Sequence, residues 1–211
     1  MEKLSLYDFL SVLLPGSLLT LFLLFFVRDL GVDFKQIELN QYFSLMVFLS
    51  FSIFLGSIIN ILTRSLLDKP YKAIGLYEPI SKIYSKFSKG KLLEPYYEEM
   101  MNKLSPEKDF DEKIEDVWAK IYYTLEANNK IAVPKSFQSF YFFFRNFFTL
   151  GLLLLIPAVI MLCYYQFNYY LYTLILTILI MVLSIFSAKW NRKKMVERMF
   201  WTYYVLYGEK S

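Results

Sequence analysis

Histidine is absent from the sequence, and cysteine occurs once, as Cys163. Without histidine, Ser-His and Cys-His catalysis, acid–base chemistry by histidine and metal binding by histidine are all excluded. A single cysteine cannot build a secreted disulfide scaffold. The P-loop and the GxSxG, HExxH and CxxC motifs are missing as well. The sequence therefore predicts a protein that is not an enzyme and has no cofactor and no metal site.

Charged residues are also few, at 20% of the chain, against 56% hydrophobic and 20% aromatic residues. A soluble domain usually contains about 45–50% apolar residues. The apolar residues here form four blocks, at approximately 6–27, 42–62, 140–165 and 169–188. Each block is long enough for a helix that crosses the roughly 30 Å hydrocarbon core of a bilayer. We therefore expect an all-α integral membrane protein with four transmembrane helices.

Basic residues are distributed unevenly around these four spans. The segment 28–41, between spans one and two, carries two basic and three acidic residues, and the turn between spans three and four carries no charge. Clusters of lysine and arginine follow spans two and four and precede span three. Under the positive-inside rule, both termini and the segment between spans two and three face the cytoplasm.

The spans divide the chain into four parts. These are a transmembrane hairpin (1–62), a cytoplasmic helical insert (63–139), a second hairpin (140–188) and a basic juxtamembrane tail (189–211) that forms a C-terminal amphipathic helix. Apolar periodicity predicts insert helices near 80–87, 94–104 and 111–127. Basic residues concentrate in 69–91 and acidic residues in 94–116. The basic helix either lies along anionic headgroups or pairs with the acidic block, and both arrangements remain open.

Lipid headgroups are the expected partners of the basic residues in the insert and the tail. The candidates are Lys82, Lys86, Lys89, Lys189, Arg192, Lys193, Lys194 and Arg198. Direct nucleic acid binding is disfavoured, because the net charge is only +4 and no dense basic patch occurs.

Charged and polar residues also occur at the predicted cytoplasmic ends of the spans: Asp8, Asn60, Arg64 and Arg145. A charge in or near hydrocarbon is costly and usually finds a partner, so Asp8 is expected to pair with Arg145 or Arg64. One hypothesis is a gate or ligand-sensing network at a pore mouth. The alternative is an interfacial ion pair that sets the helix register, with the arginine side chains reaching toward the interface.

Small residues recur at a spacing of four in the first two spans, as Gly16 and Thr20 and as Ser52 and Gly56. This spacing lets helix backbones approach closely, within one subunit or between copies, and a homo-oligomer is expected. Pro15 removes a backbone hydrogen bond within span one, and a neighbouring helix must then satisfy the freed carbonyl.

The whole layout resembles a known group of proteins. The resemblance rests on the opening 6–10 (LYDFL) running into Leu14-Pro15-Gly16, on 143–146 (FFRN) at the start of span three, and on the tail from Lys189. It is similar to the small multi-pass proteins encoded beside bacterial anti-phage systems, nearest the four-span membrane accessory proteins of type VI-B CRISPR systems.

This resemblance implies a non-enzymatic component of the bacterial inner (plasma) membrane. Such a component either modulates an RNA-guided effector or compromises the membrane during phage infection. The effector would be a cytosolic protein partner that docks on the insert. A related accessory family has an Arg…His nuclease-like motif, which cannot apply to a chain without histidine. No family site residues carry over. The alternatives are a constitutive channel or transporter subunit and a lipid-bound scaffold without a pore.

Overall fold

The computed structural model describes residues 9–31, 40–65, 68–88, 110–165 and 168–207, and the elements in these ranges are all helical. A π-helical turn, Phe9–Leu13, leads directly into the first α-helix. The α-helices are α1 (Leu14–Asp29), α2 (Gln41–Ser65), α3 (Asp68–Ala73), α4 (Ile80–Ser88), α5 (Phe110–Ala127), α6 (Ala132–Tyr165) and α7 (Asn168–Tyr207). The predicted all-α fold class is confirmed. The helix predicted over 94–104 lies outside the described residues.

In the part of the chain that the structure describes, four helical segments are long and apolar enough to cross a membrane: Phe9–Asp29, Gln41–Ser65, Ala132–Cys163 and Tyr170–Tyr207. They match the four predicted spans in number and order, and the helical insert lies between the second and the third. The chain is therefore a multi-pass helical membrane protein.

The last two helices are much longer than a membrane crossing requires. Helix α6 has 34 residues and α7 has 40, which at 1.5 Å per residue gives lengths of roughly 50 and 60 Å. The hydrocarbon core is only about 30 Å thick. The sequence boundaries near 139 and 188 therefore fall inside continuous helices, and the tail is a direct extension of span four.

Two compact units make up the chain. The first, called here the span unit, comprises Met1–Leu76 and Ser139–Ala188. The second, called the insert–tail unit, comprises Tyr77–Gln138 and Lys189–Ser211. The tail is thus grouped with the insert, although the fifty residues 139–188 separate them along the chain.

A hydrophobic core holds the insert–tail unit together. The apolar face of α5 lies in this core, with Ile114, Val117, Ile121 and Leu125 fully buried. Phe200 of α7 is equally buried, and its ring lies 5.0 Å from that of Tyr84 and 6.2 Å from that of Trp118, measured between centroids. The insert helices therefore bury their apolar faces against the tail. The sequence alone left this packing partner undecided.

The backbone at the end of α5 shows why this helix stops at Ala127. Asn129 has a φ of 56°, in the left-handed region that asparagine tolerates. The amide of Asn129 donates to the carbonyl of Glu126, and that of Lys130 donates to the carbonyl of Leu125. These two bonds form a Schellman motif, which satisfies the last carbonyls of the helix. Helix α6 then begins at Ala132.

In the span unit, α1 and α2 are in backbone contact through two glycines. A Cβ atom on Gly16 would lie 1.7 Å from the carbonyl oxygen of Ser52, and one on Gly56 would lie 2.0 Å from that of Val12. The hydroxyl of Ser52 also lies 3.4 Å from that of Thr20. The structure thus brings the four small residues singled out in the sequence into one contact between two helices of the same chain.

A buried polar cluster as the candidate functional site

Polar side chains from the π-helical turn, α2, α3 and α6 meet inside the span unit. We call this group the polar cluster; its buried members are Ser11, Thr63, Tyr71, Arg145, Asn146 and Thr149. Asn60 is half-buried beside them and lies 3.4 Å from Asn146. An ionisable side chain within membrane spans is costly, so the burial of Arg145 makes this cluster the candidate functional site.

Asn146 supplies the hydrogen bond that the backbone loses at Pro15. In a regular helix the amide of residue 15 would donate to the carbonyl of Ser11, but proline has no amide hydrogen. The side-chain amide of Asn146 donates to this same carbonyl at 2.6 Å. One buried hydrogen bond thus links α6 to the backbone at Pro15. This agrees with the prediction that a neighbouring helix satisfies the freed carbonyl.

A chain of hydroxyl groups joins α2, α3 and α6. Thr63 and Thr149 share a hydrogen bond of 2.6 Å, and Tyr71 is hydrogen-bonded to Thr149. Burial raises the pKa of the Tyr71 hydroxyl, and its hydrogen bonds and the charge of Arg145 only partly oppose this effect. Tyr71 therefore remains a neutral hydrogen-bonding group, and its ring packs edge-on against Phe148.

Arg145 is the charged member of the polar cluster and is only 6% exposed. Its guanidinium carbon lies 4.7 Å from the ring centre of Phe142 and 5.7 Å from that of Tyr141. Such cation–π contacts are strong where water is excluded. Its Nε and Nη2 atoms are buried and have no hydrogen-bond partner in the part of the chain that the structure describes.

Of the four residues predicted at the cytoplasmic mouth, the structure brings two together. Arg145 and Asn60 belong to or border the polar cluster, whereas Arg64 is exposed in the last turn of α2. Asp8 lies outside the described residues, so its pairing stays a prediction.

Sequence reasoning missed Ser11, Thr63, Tyr71, Asn146 and Thr149 as members of the site. A signal was present for two of them, since Thr149 follows Arg145 by four residues and Thr63 follows Asn60 by three, which places each pair on one helix face. Tyr71 lies in a separate short helix, and nothing in the local sequence links it to α6. Its contact with α6 depends on where α3 packs after span two, which is a tertiary feature.

The predicted headgroup-binding residues fall into different environments. Lys189, Lys193 and Arg198 are exposed, and the side chain of Lys82 is 66% exposed with its ammonium 3.9 Å from Glu78. Lys194 forms an ion pair with Glu197 at 2.9 Å. Lys89 and the side chain of Lys86 lie outside what the structure describes. Headgroup binding by these residues stays a prediction.

Arg192, another member of that predicted set, has an internal role. It is 7% exposed, its Nε donates to the carbonyl of Glu78 at 2.7 Å, and its guanidinium lies over the ring of Tyr77 at 4.2 Å. These contacts tie the tail to the segment that precedes α4. The sequence pattern could not separate Arg192 from its basic neighbours.

Among the described residues, no group of three or more cysteine, aspartate or glutamate side chains could hold a metal ion. The fold and the polar cluster together define a class: a multi-pass helical membrane protein with a buried cationic side chain in its spans. No family model matches the chain, and no curated protein or solved structure shows significant similarity to it.

Proposed function

We propose that this protein is a non-enzymatic component of the bacterial plasma membrane that acts in anti-phage defence. In this proposal it is an oligomeric accessory or effector that perturbs the membrane or docks a cytosolic partner on its insert. The defence role rests on the layout that resembles type VI-B CRISPR accessory proteins. The membrane role rests on the four apolar helices.

The observation that supports an active membrane role is the burial of Arg145 among apolar spans. A charged side chain buried in or near hydrocarbon is costly and usually finds a partner. An apolar residue at this position would avoid that cost. Arg145 is instead embedded in hydrogen-bonded groups from three helices, an arrangement that supports a function for the cluster.

Docking of a partner is supported by the insert–tail unit. This unit has its own hydrophobic core and presents large aromatic side chains on its surface: Tyr123 is 68% exposed and Trp201 is 41% exposed. Tyrosine and tryptophan are the residues that most often anchor protein interfaces. A cytosolic protein such as an RNA-guided effector is the proposed partner.

The test is conditional permeability in cells that carry the native neighbouring genes. We expect dye uptake or depolarisation only during phage infection or on co-expression of the partner, and we expect Arg145→Ala and Asp8→Ala to abolish it. Lys130→Ala, which removes an exposed charge from a loop, is the matched control. If Arg145→Ala and Asp8→Ala both fold and act like wild type, neither Arg145 nor Asp8 has a role in this function.

A constitutive channel subunit is the second candidate, because a polar cluster within apolar spans also suits the mouth of a pore. The same experiment separates the two functions. Steady ion flux without infection or partner supports a channel, whereas no flux under any condition supports a lipid-bound scaffold. A mass measurement in detergent determines the subunit number that the oligomeric proposal requires.

A further inference from the structure

The guanidinium of Arg145 has one edge that donates no hydrogen bond to any part of the described chain. Nε and Nη2 are the two nitrogens of the edge that donates two parallel hydrogen bonds, and both are buried without a hydrogen-bond partner among the described residues. An arginine edge of this kind matches the paired oxygens of a phosphate or a carboxylate. Leaving such donors buried and unsatisfied is costly.

The acidic side chain that the structure describes in the span unit is already engaged elsewhere. Asp29 accepts hydrogen bonds from Arg28 at 3.0 Å and from the hydroxyl of Tyr170 at 2.7 Å. The guanidinium of Arg145 also contacts the rings of Phe142 and Tyr141, and these cation–π contacts do not satisfy the N–H donors of the edge. The buried Nε and Nη2 donors of Arg145 therefore need an acceptor, which an oxyanion at this edge supplies.

The position of Arg145 along α6 indicates where that oxyanion comes from. Twenty residues separate it from Tyr165 at the end of the helix, which corresponds to roughly 30 Å. The predicted span 140–165 places Tyr165 at one face of the hydrocarbon core, and a distance equal to the core thickness then places Arg145 near the phosphates of the other leaflet. Basic sites between membrane helices commonly bind anionic lipid headgroups.

We propose that Nε and Nη2 of Arg145 bind the oxygens of a phosphate group, of the kind that anionic phospholipids carry. Because the edge is closed in this structure, binding requires a local rearrangement of α6 around 142–149. The site is independent of the proposed defence function, which can fail while the site binds lipid.

The test titrates the purified full-length protein in detergent with phosphatidylglycerol or phosphatidylcholine and counts bound lipids by native mass spectrometry. Arg145→Gln is expected to weaken phosphatidylglycerol binding at the tightest site by about tenfold or more, since two charge-assisted hydrogen bonds are lost. Arg145→Lys keeps the charge but not the paired donors, and we expect an intermediate loss. Lys130→Gln, which removes an equal charge elsewhere, should bind like wild type.

Inorganic phosphate is the second arm of the test. If phosphate alone raises the unfolding temperature of wild type but not of Arg145→Gln, the site takes soluble phosphate. If only phosphatidylglycerol does so, the source is the lipid. Equal binding of phosphatidylglycerol by wild type and Arg145→Gln, with no response to phosphate, overturns the proposal.

Two further measurements keep the proposal falsifiable. If Arg145→Gln does not fold, hydrogen exchange of wild-type residues 142–149 should slow with phosphatidylglycerol or phosphate, and unchanged exchange overturns the proposal. Asp8→Asn tests an internal carboxylate, which lies outside the described residues. An internal ion pair would give a different pattern. Asp8→Asn and Arg145→Gln would lower the stability equally, the double variant would be no less stable than either, and neither phosphatidylglycerol nor phosphate would change the unfolding temperature. This pattern overturns the proposed site.

Discussion

At the scale of single residues, absent atoms matter as much as present ones. Gly16 and Gly56 lack the Cβ that would collide with the backbone of the facing helix, and Pro15 lacks the amide hydrogen that would bond the carbonyl of Ser11. The first absence lets α1 and α2 touch. The second leaves an acceptor for Asn146. Both features make the packing of the span unit sensitive to small substitutions.

Gly56→Ala is expected to lower the free energy of unfolding by about 2 kcal/mol or more, because the new methyl group meets the rigid backbone of Val12. Gly151→Ala is the matched control. Its methyl group would meet the side chain of Met181 at 2.3 Å, and a methionine side chain can move aside. Thermal unfolding in detergent compares the two. Equal losses would contradict a rigid contact between α1 and α2.

Asn146→Ala should cost about 1–3 kcal/mol, because it leaves the carbonyl of Ser11 without the hydrogen bond from α6. In a Pro15→Ala background the restored backbone amide can donate to this carbonyl instead. We therefore expect the cost of Asn146→Ala to fall in that background, as measured by a double-mutant cycle on unfolding free energies. Additive effects of the two substitutions would show that Asn146 and Pro15 are not coupled.

At the scale of elements, the tail does more than follow span four. Its residues Met195, Val196, Met199 and Phe200 lie in the same hydrophobic core as α4 and α5. The insert has roughly 75 residues by the sequence boundaries, a length at which a core on its own is marginal. The apolar side of the tail supplies the remaining buried surface, so α5 depends on α7 for its stability.

Phe200→Ala should destabilise the insert–tail unit by about 3–5 kcal/mol, since the ring is fully buried. Trp201→Ala, at the adjacent and 41% exposed position, is the control and should cost less than about 1 kcal/mol. Limited proteolysis within 110–127 and the fluorescence of Trp118, whose ring is 6.2 Å from that of Phe200, report the difference. Resistance of Phe200→Ala to protease at the wild-type level would contradict the dependence of α5 on the tail.

At the scale of the whole molecule, the distribution of basic residues predicts that both termini and the insert face the cytoplasm. Two exposed positions, Leu30 after α1 and Asn128 after α5, lie on opposite sides of the membrane in this topology. Each can carry a single cysteine once the native Cys163 is replaced by alanine.

In intact cells, Leu30→Cys should react with a membrane-impermeant maleimide, whereas Asn128→Cys should react only after the membrane is opened. Mild substitutions at exposed sites are not expected to disturb the fold. The Cys163→Ala parent, which should not react, is the control. Labelling of Asn128→Cys from outside the cell would reverse the proposed orientation.

The sequence by itself determined the number and order of the spans and the helical character of the insert, because both follow from local patterns. A run of about 20 apolar residues needs only lipid as its solvent to become a spanning helix. Likewise, the apolar stripe of 111–127 needs only the helical period to form one face.

Only the tertiary structure decided which surfaces these elements bury against each other. The tail and the insert share a hydrophobic core although spans three and four separate them in the sequence. Tyr71 lies beside Thr149, and Arg192 is buried whereas its basic neighbours Lys189 and Lys193 are exposed. These relations link residues far apart in the chain. Their energies depend on burial and on distances in space, which no local periodicity encodes.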